Sequence, residues 1–154
     1  MNLVLLPTER RSGGTRWVME HVRRQRRPSP RAGIAYQAEL NAENVILASS
    51  RVRLMTRRVA KPFCEDIGDL ARSAGAKGLV MDLDSVAATP RAAVHAMRHL
   101  REMPVSRVAL MGGSRLTRRL ASVVLTLGRY GDFRFFADCE AAISWAAREG
   151  EDSL

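Results

Sequence analysis

The chain has 154 residues, 46% of them hydrophobic, and a formal net charge of +9, which is one domain by size with ample apolar material for a core. No apolar run approaches the roughly 20 residues of a membrane-spanning helix, which excludes a helical integral membrane protein. Cys64 and Cys139 stand far apart without CxxC or Cys/His spacing, so they read as small core residues of a reduced, cytoplasmic protein rather than a disulfide or metal site.

In chain order, the opening MNLVLLPTERR has five apolar residues before Pro7, no basic residue ahead of them and no small-residue cleavage site, and is not expected to be a secretory signal. Residues 1–33 carry eight arginines against Glu9 and Glu20, a surplus of +6 that leaves only +3 for the remaining 121 residues. The basicity therefore belongs to an arm, expected to be disordered. Its densest part, HVRRQRRPSPRAG, has the composition to contact nucleic acid or an anionic surface, through the arginines of residues 10–31. Thr15 to Arg27 has Trp17, Val18 and Val22 on one side of a short helix that Pro28 and Pro30 stop.

A folded domain is expected over residues 34–150, with 151–154 as a tail. IAYQAEL and VILASSRVRLM, joined by the turn NAEN, predict an antiparallel hairpin in which Val45, Leu47, Val52 and Leu54 are extended. Val59, Phe63, Ile67, Leu70 and Ala74 recur at helical spacing, with Glu65, Asp66, Asp69 and Arg72 outward, Pro62 in the first turns and Gly75 as the stop. KGLVMDL is a strand buried on both sides. Pro90 to Glu102 is a helix with Thr89 as N-cap and Ala93, Met97 and Leu100 inward.

RVALMG is the next strand, and SRLTRRLASVVLTLG a helix with Leu116, Leu120, Val123, Val124 and Leu127 inward. FRFF is the last strand, and DCEAAISWAARE a closing helix opened by Asp138 with Trp145 as its core anchor. Strands alternating with helices predict βαβ crossovers and a mixed, mainly parallel α/β sheet with an N-terminal hairpin and about four helices.

Two stretches carry candidate chemistry. LVMDLDSV places Asp82 and Asp84 at a strand end, the pattern in which haloacid-dehalogenase-type phosphatases use a nucleophile and an acid, with Ser114 for phosphate and Asp132 and Asp138 for Mg²⁺. Asp132, however, lies before its strand and so at the opposite edge of the sheet, and the loop after Val86 has no room for a lid. A receiver-domain reading fails too, because the hairpin strands do not end in acids and the lysines are only Lys61 and Lys77. In the second stretch, LMGGSRLTRR, Gly112, Gly113, Ser114 and Arg115 form a strand-to-helix turn favourable to anions but lacking a GxGxxG or P-loop pattern. His95 and His99 lie one turn apart without a third ligand, so no metal or cofactor is expected.

VALMGGSRLTRRLASVVLTLGRYGDFRFFADCEAAISWA, residues 108 to 146, resembles the C-terminal half of the small bacterial STAS-like domains, the group of the anti-sigma-factor antagonists and the SpoIIAA-like proteins. Phe135, Phe136, Glu140, Ala141, Ala142 and Trp145 carry its "EAxxWL" end, and KGLVMDLDSV resembles the upstream "xxLLxDLSxV". The resemblance spans about residues 40 to 148. It implies a SpoIIAA-like fold and a non-enzymatic signalling module with a protein partner, and a homodimer is compatible with it. The working surface implied is the loop 84–91 (Asp84, Ser85, Thr89, Arg91) with the adjacent GGSR turn. Aligned on DLDSV, the serine phosphorylated in the anti-sigma antagonists falls at or next to Thr89, though ATPR replaces their DSxG; Ser85 is the second candidate phosphoacceptor. A small-ligand or lipid-binding domain, as the name STAS/SEC14 of some relatives implies, is the alternative.

Overall fold

The computed structural model describes residues 36–84, 87–128, 130 and 132–148. The arginine-rich arm, its expected helix, Ser85 and the tail 151–154 lie outside the described residues, as does the side chain of Met97.

The hairpin is present as β1 (Tyr36–Leu40) and β2 (Val45–Ser50), antiparallel with Tyr36 opposite Ser50. Asn41 makes the turn: its side-chain oxygen accepts from the Glu43 and Val45 backbone N–H groups at 3.0 and 2.9 Å, the local bonding for which asparagine is favoured in turns. The second strand is shorter than the sequence pattern predicts. It stops at Ser50, and Leu54 and Met55 form a separate strand, β3, which pairs in parallel with β5 (Ala87–Ala88) in a two-stranded sheet.

Helix α1 (Arg57–Ala74) ends at Gly75, whose φ of 62° and ψ of 42° are the left-handed values a glycine adopts without penalty. Strand β4 (Gly78–Asp82) leads through β5 to α2 (Pro90–Glu102), then follow β6 (Arg107–Met111), α3 (Arg115–Leu127), β7 (Asp132–Phe136) and α4 (Cys139–Ala147). Thr89 and Asp138 cap their helices as expected and Ser114 caps α3, each side chain accepting from the backbone N–H three residues on.

The main sheet has the order β1-β2-β4-β6-β7, with every pair after the hairpin parallel. The protein is thus α/β, with a mixed sheet of mostly parallel strands and four helices among the described residues. Because the parallel strands never reverse direction of travel, crossovers of one hand put their helices on one face. Accordingly α1, α2 and α3 share a core with Ile46, Leu79, Val108 and Leu110. The opposite face, with Val45, Leu47, Val80 and Ala109, is covered by α4 through Ala142, Ile143, Trp145 and Ala146.

Small residues let α4 approach closely, and a Cβ on Gly78 would collide with the Ala146 carbonyl. At the same end of the sheet the buried Arg107 lies over the Trp145 ring at 5.2 Å and donates to the Trp145 carbonyl at 3.2 Å.

Two helical faces depart from the sequence pattern. Asp66, expected outward, is buried and accepts a 2.5 Å hydrogen bond from the Tyr36 hydroxyl; a polar group is tolerated inside once it is bonded. On α3 the expected inward stripe is largely outside: Leu116, Leu120, Val123 and Leu127 are 78%, 43%, 53% and 70% exposed, and only Leu125 is fully buried.

Candidate functional site

At the carboxyl end of the sheet, Asp82 closes β4 opposite Ser49 and Met111. Alternation along the strand turns its side chain toward α4, with Val80, and it is only 5% exposed. The acidic pair of this loop therefore does not simply face solvent. Burial raises the Asp82 pKa, the hydrogen bond it accepts from the Asp84 backbone N–H at 2.8 Å opposes that, and the Asp84 charge adds to the rise. Asp84, half-buried in the turn that follows, accepts from the Gly113 N–H at 2.8 Å.

The glycine pair now has a reason. Gly112 and Gly113 have φ of 64° and 81°, and a Cβ on Gly112 would sit on the Asp84 carboxylate. A backbone N–H that an incoming anion would use at this turn already serves the chain's own carboxylate. Ser114 caps α3, accepting from Thr117 N–H at 3.1 Å and sharing a 2.9 Å contact with the Thr117 hydroxyl, while Arg115 is exposed beside it.

The phosphatase constellation is not assembled. Asp132 begins β7 opposite Arg107, with its carboxylate 3.6 Å from the Arg107 guanidinium. Asp82 lies at the other end of the neighbouring register, about 13 Å away along strands that rise about 3.3 Å per residue. Asp138 spends a carboxylate oxygen on the Ala141 N–H at 2.8 Å. No group of three or more His, Cys, Asp or Glu side chains suited to a metal ion is found among the described residues. The parallel strands also lack the order reversal at which open α/β sheets bind nucleotides.

Neither thiol is activated. Burial pushes Cys64 up to about 12, helped by Glu65, and Cys139 is raised by burial and by Asp138, Asp82 and Glu140.

Thr89 is half-buried at the start of α2, its hydroxyl oxygen 3.3 Å from the Ala92 N–H it caps and its own N–H donated to the Met55 carbonyl at 3.1 Å. Pairing of β3 with β5 thus holds the end of the loop, while Arg91 on the first turn is exposed. His95 and His99 are half-buried, rings 4.6 Å apart, not the exposed pair a helix surface would suggest. Burial and the neighbouring His99 lower the His95 pKa.

The feature that sequence reasoning missed lies beneath α3. A cavity of about 260 Å³ lies between that helix and α1, α2, β5 and the sheet. Phe63, Leu79, Leu100, Val108, Leu110 and Val124 are among its walls, and Thr117 is the one hydroxyl-bearing residue of its lining among the described residues. Leu116 and Leu120, both exposed, also line it, so they stand at its mouth. Water gains nothing in such a space, because it offers too few hydrogen-bond partners. The only sequence signal was the surplus of apolar positions on α3, more than one packed face needs.

A second depression, of about 320 Å³, lies between α1 and α2 and is edged by Glu65, Asp69, Arg72, His99 and Glu102. Within it Arg72 meets Asp69 at 2.6 Å. No helix among the described residues is long and apolar enough to cross a membrane. Comparison of the chain with protein-family models, with curated proteins and with solved structures finds no match.

Proposed function

We propose that this protein is a non-enzymatic binding domain of the STAS/SEC14-like kind, which holds one small apolar molecule in the cavity between α3 and the core. The observation that carries the reading is the cavity itself: about 260 Å³, walled almost wholly by aliphatic and aromatic side chains, and open where Leu116 and Leu120 stand exposed. This exceeds the roughly 150 Å³ that accommodates a benzene-sized guest and lies just below the about 300–1,000 Å³ of drug-sized sites. A ligand with a single hydrocarbon chain or a small ring fits the lining, and any polar head would remain at the mouth near Thr117. The mixed, mostly parallel sheet is compatible with the STAS-like resemblance.

Titration of the full-length protein with the apolar dye N-phenyl-1-naphthylamine, and its displacement by decanoic acid, tests this. Saturable one-to-one binding that Ala121→Phe abolishes, with the circular dichroism spectrum retained, is the expected result. Absence of saturable binding overturns it.

A second reading, a protein-interaction module switched at the loop 84–91, is favoured by one arrangement: the Thr89 hydroxyl lies at the N-terminus of α2 beside the exposed Arg91. A phosphate there would lie at the positive end of the α2 dipole, within reach of the Arg91 guanidinium. Phosphopeptide mapping of the protein purified from its native cell checks it, and an unmodified Thr89 in all growth conditions counts against it.

A further inference from the structure

The outer face of α3 is a site of its own. At about 100° per residue, Leu116, Leu120, Val123 and Leu127 fall within a sector of about 60°, and all four are exposed. Arg115 and Arg119, also exposed, flank that sector on one side. On the other side the helix turns through Val124 and Ala121 into the cavity. Residues 115–127 include three arginines and no acidic residue, and Arg118 is already engaged over the Phe135 ring at 4.9 Å. Helix α2, packed against α3, adds exposed Arg91, Arg98 and Arg101 against the single Glu102.

We infer that α3 docks this domain onto an anionic lipid bilayer surface, lying in the interface plane with its leucine and valine stripe in the acyl boundary and Arg115 and Arg119 at the headgroups. A file of aliphatic side chains with basic residues along one border is the pattern of interfacial helices. Arginine suits the border because its stem packs on hydrocarbon while its guanidinium reaches phosphate. A bilayer supplies negative charge and hydrocarbon at adjacent depths along the whole helix. A protein partner would need both an acidic rim and a matching apolar groove. Docking also places the cavity mouth, Leu116 and Leu120, against the lipid, so the ligand would enter from the membrane. The route rests on the ligand-binding reading; the docking does not.

The test uses the full chain and vesicles, either pure phosphatidylcholine or an equal mixture with phosphatidylglycerol, in flotation assays at low and high salt. Binding to the anionic vesicles, lost on neutral ones and at high salt, is expected. Val123→Ser with Leu127→Ser, both outside the cavity lining, should weaken it roughly tenfold or more with an unchanged melting temperature. Arg115→Gln with Arg119→Gln should weaken it roughly thirtyfold.

Three results overturn the inference: no binding to anionic vesicles, wild-type binding by the Val123/Leu127 variant, or binding that depends only on Arg23, Arg24, Arg26 and Arg27. Stripe-dependent association with a protein, without vesicle binding, overturns it as well. Loss of dye binding in Ala121→Phe with vesicle binding intact separates the two proposals, since it leaves docking standing whatever the cavity holds.

Discussion

Asp84 and Gly113, 29 residues apart in the chain, are joined by a 2.8 Å hydrogen bond from the glycine N–H to the carboxylate. The bond ties the loop after β4 to the turn that opens α3, and it is possible only because Gly112 has no side chain. Asp84→Ala is expected to destabilise the domain by about 1.5–3 kcal/mol, the range for a hydrogen bond to a charged group. Gly112→Ala should cost about 1–3 kcal/mol, through the same bond and the positive φ. Because the two changes act on one contact, the double variant should lose less than the sum. Urea denaturation of the four proteins measures this.

The approach of α4 to the sheet makes a second prediction. Gly78→Ala forces a methyl group against the Ala146 carbonyl, a backbone atom that cannot step aside as a side-chain end can. Destabilisation of about 1–3 kcal/mol is expected, together with a changed Trp145 fluorescence, since that ring packs on Phe136 and Arg107 in the same layer.

Asp82 predicts a pH dependence. Its pKa in the folded state is raised, chiefly by burial, so the folded protein holds this proton at a pH where the unfolded chain has released it. Its contribution is therefore most favourable below the ordinary aspartate value of 3.8 and is lost as pH rises through the raised value. Asp82→Asn, which can still accept from the Asp84 N–H, should melt higher than wild type at neutral pH, with the gap closing at acid pH. Thermal melts across that range decide it, and a variant that melts lower at neutral pH would show that the Asp82 charge is compensated.

Filling the cavity should stabilise the protein when no ligand is present. Ala121→Leu adds methyl groups at the cavity wall beside Val124 and Leu125. A gain of about 0.5–2 kcal/mol is expected, read as a raised melting temperature with reduced dye binding.

The Thr89 cap gives the last prediction. Thr89→Ala removes the acceptor of the Ala92 N–H and should cost about 1 kcal/mol. Thr89→Asp restores the cap and should recover most of it, with denaturation midpoints as the measure.

Much of this architecture was legible in the residues because it is local. Thr89, Ser114 and Asp138 cap their helices from three positions away, Gly75 stops α1 by its own backbone conformation, and the short apolar runs around Val80 and Ala109 could only be buried strands. The position of Asp132 at the wrong end of the sheet also followed from the order of strand and acid alone. Periodicity says which residues share a face, but not what lies opposite that face. Leu116, Leu120, Val123 and Leu127 kept their helical spacing and still ended outside, because α3 turns its other face, with Ala121, Val124 and Leu125, toward the core. Asp66 went inside because Tyr36, thirty positions earlier, provided a donor. The pairing of β3 with β5 and the clasp of Asp84 by Gly113 depend on segments about 30 residues apart meeting. Only the order of the strands in the tertiary fold brings them within hydrogen-bonding distance.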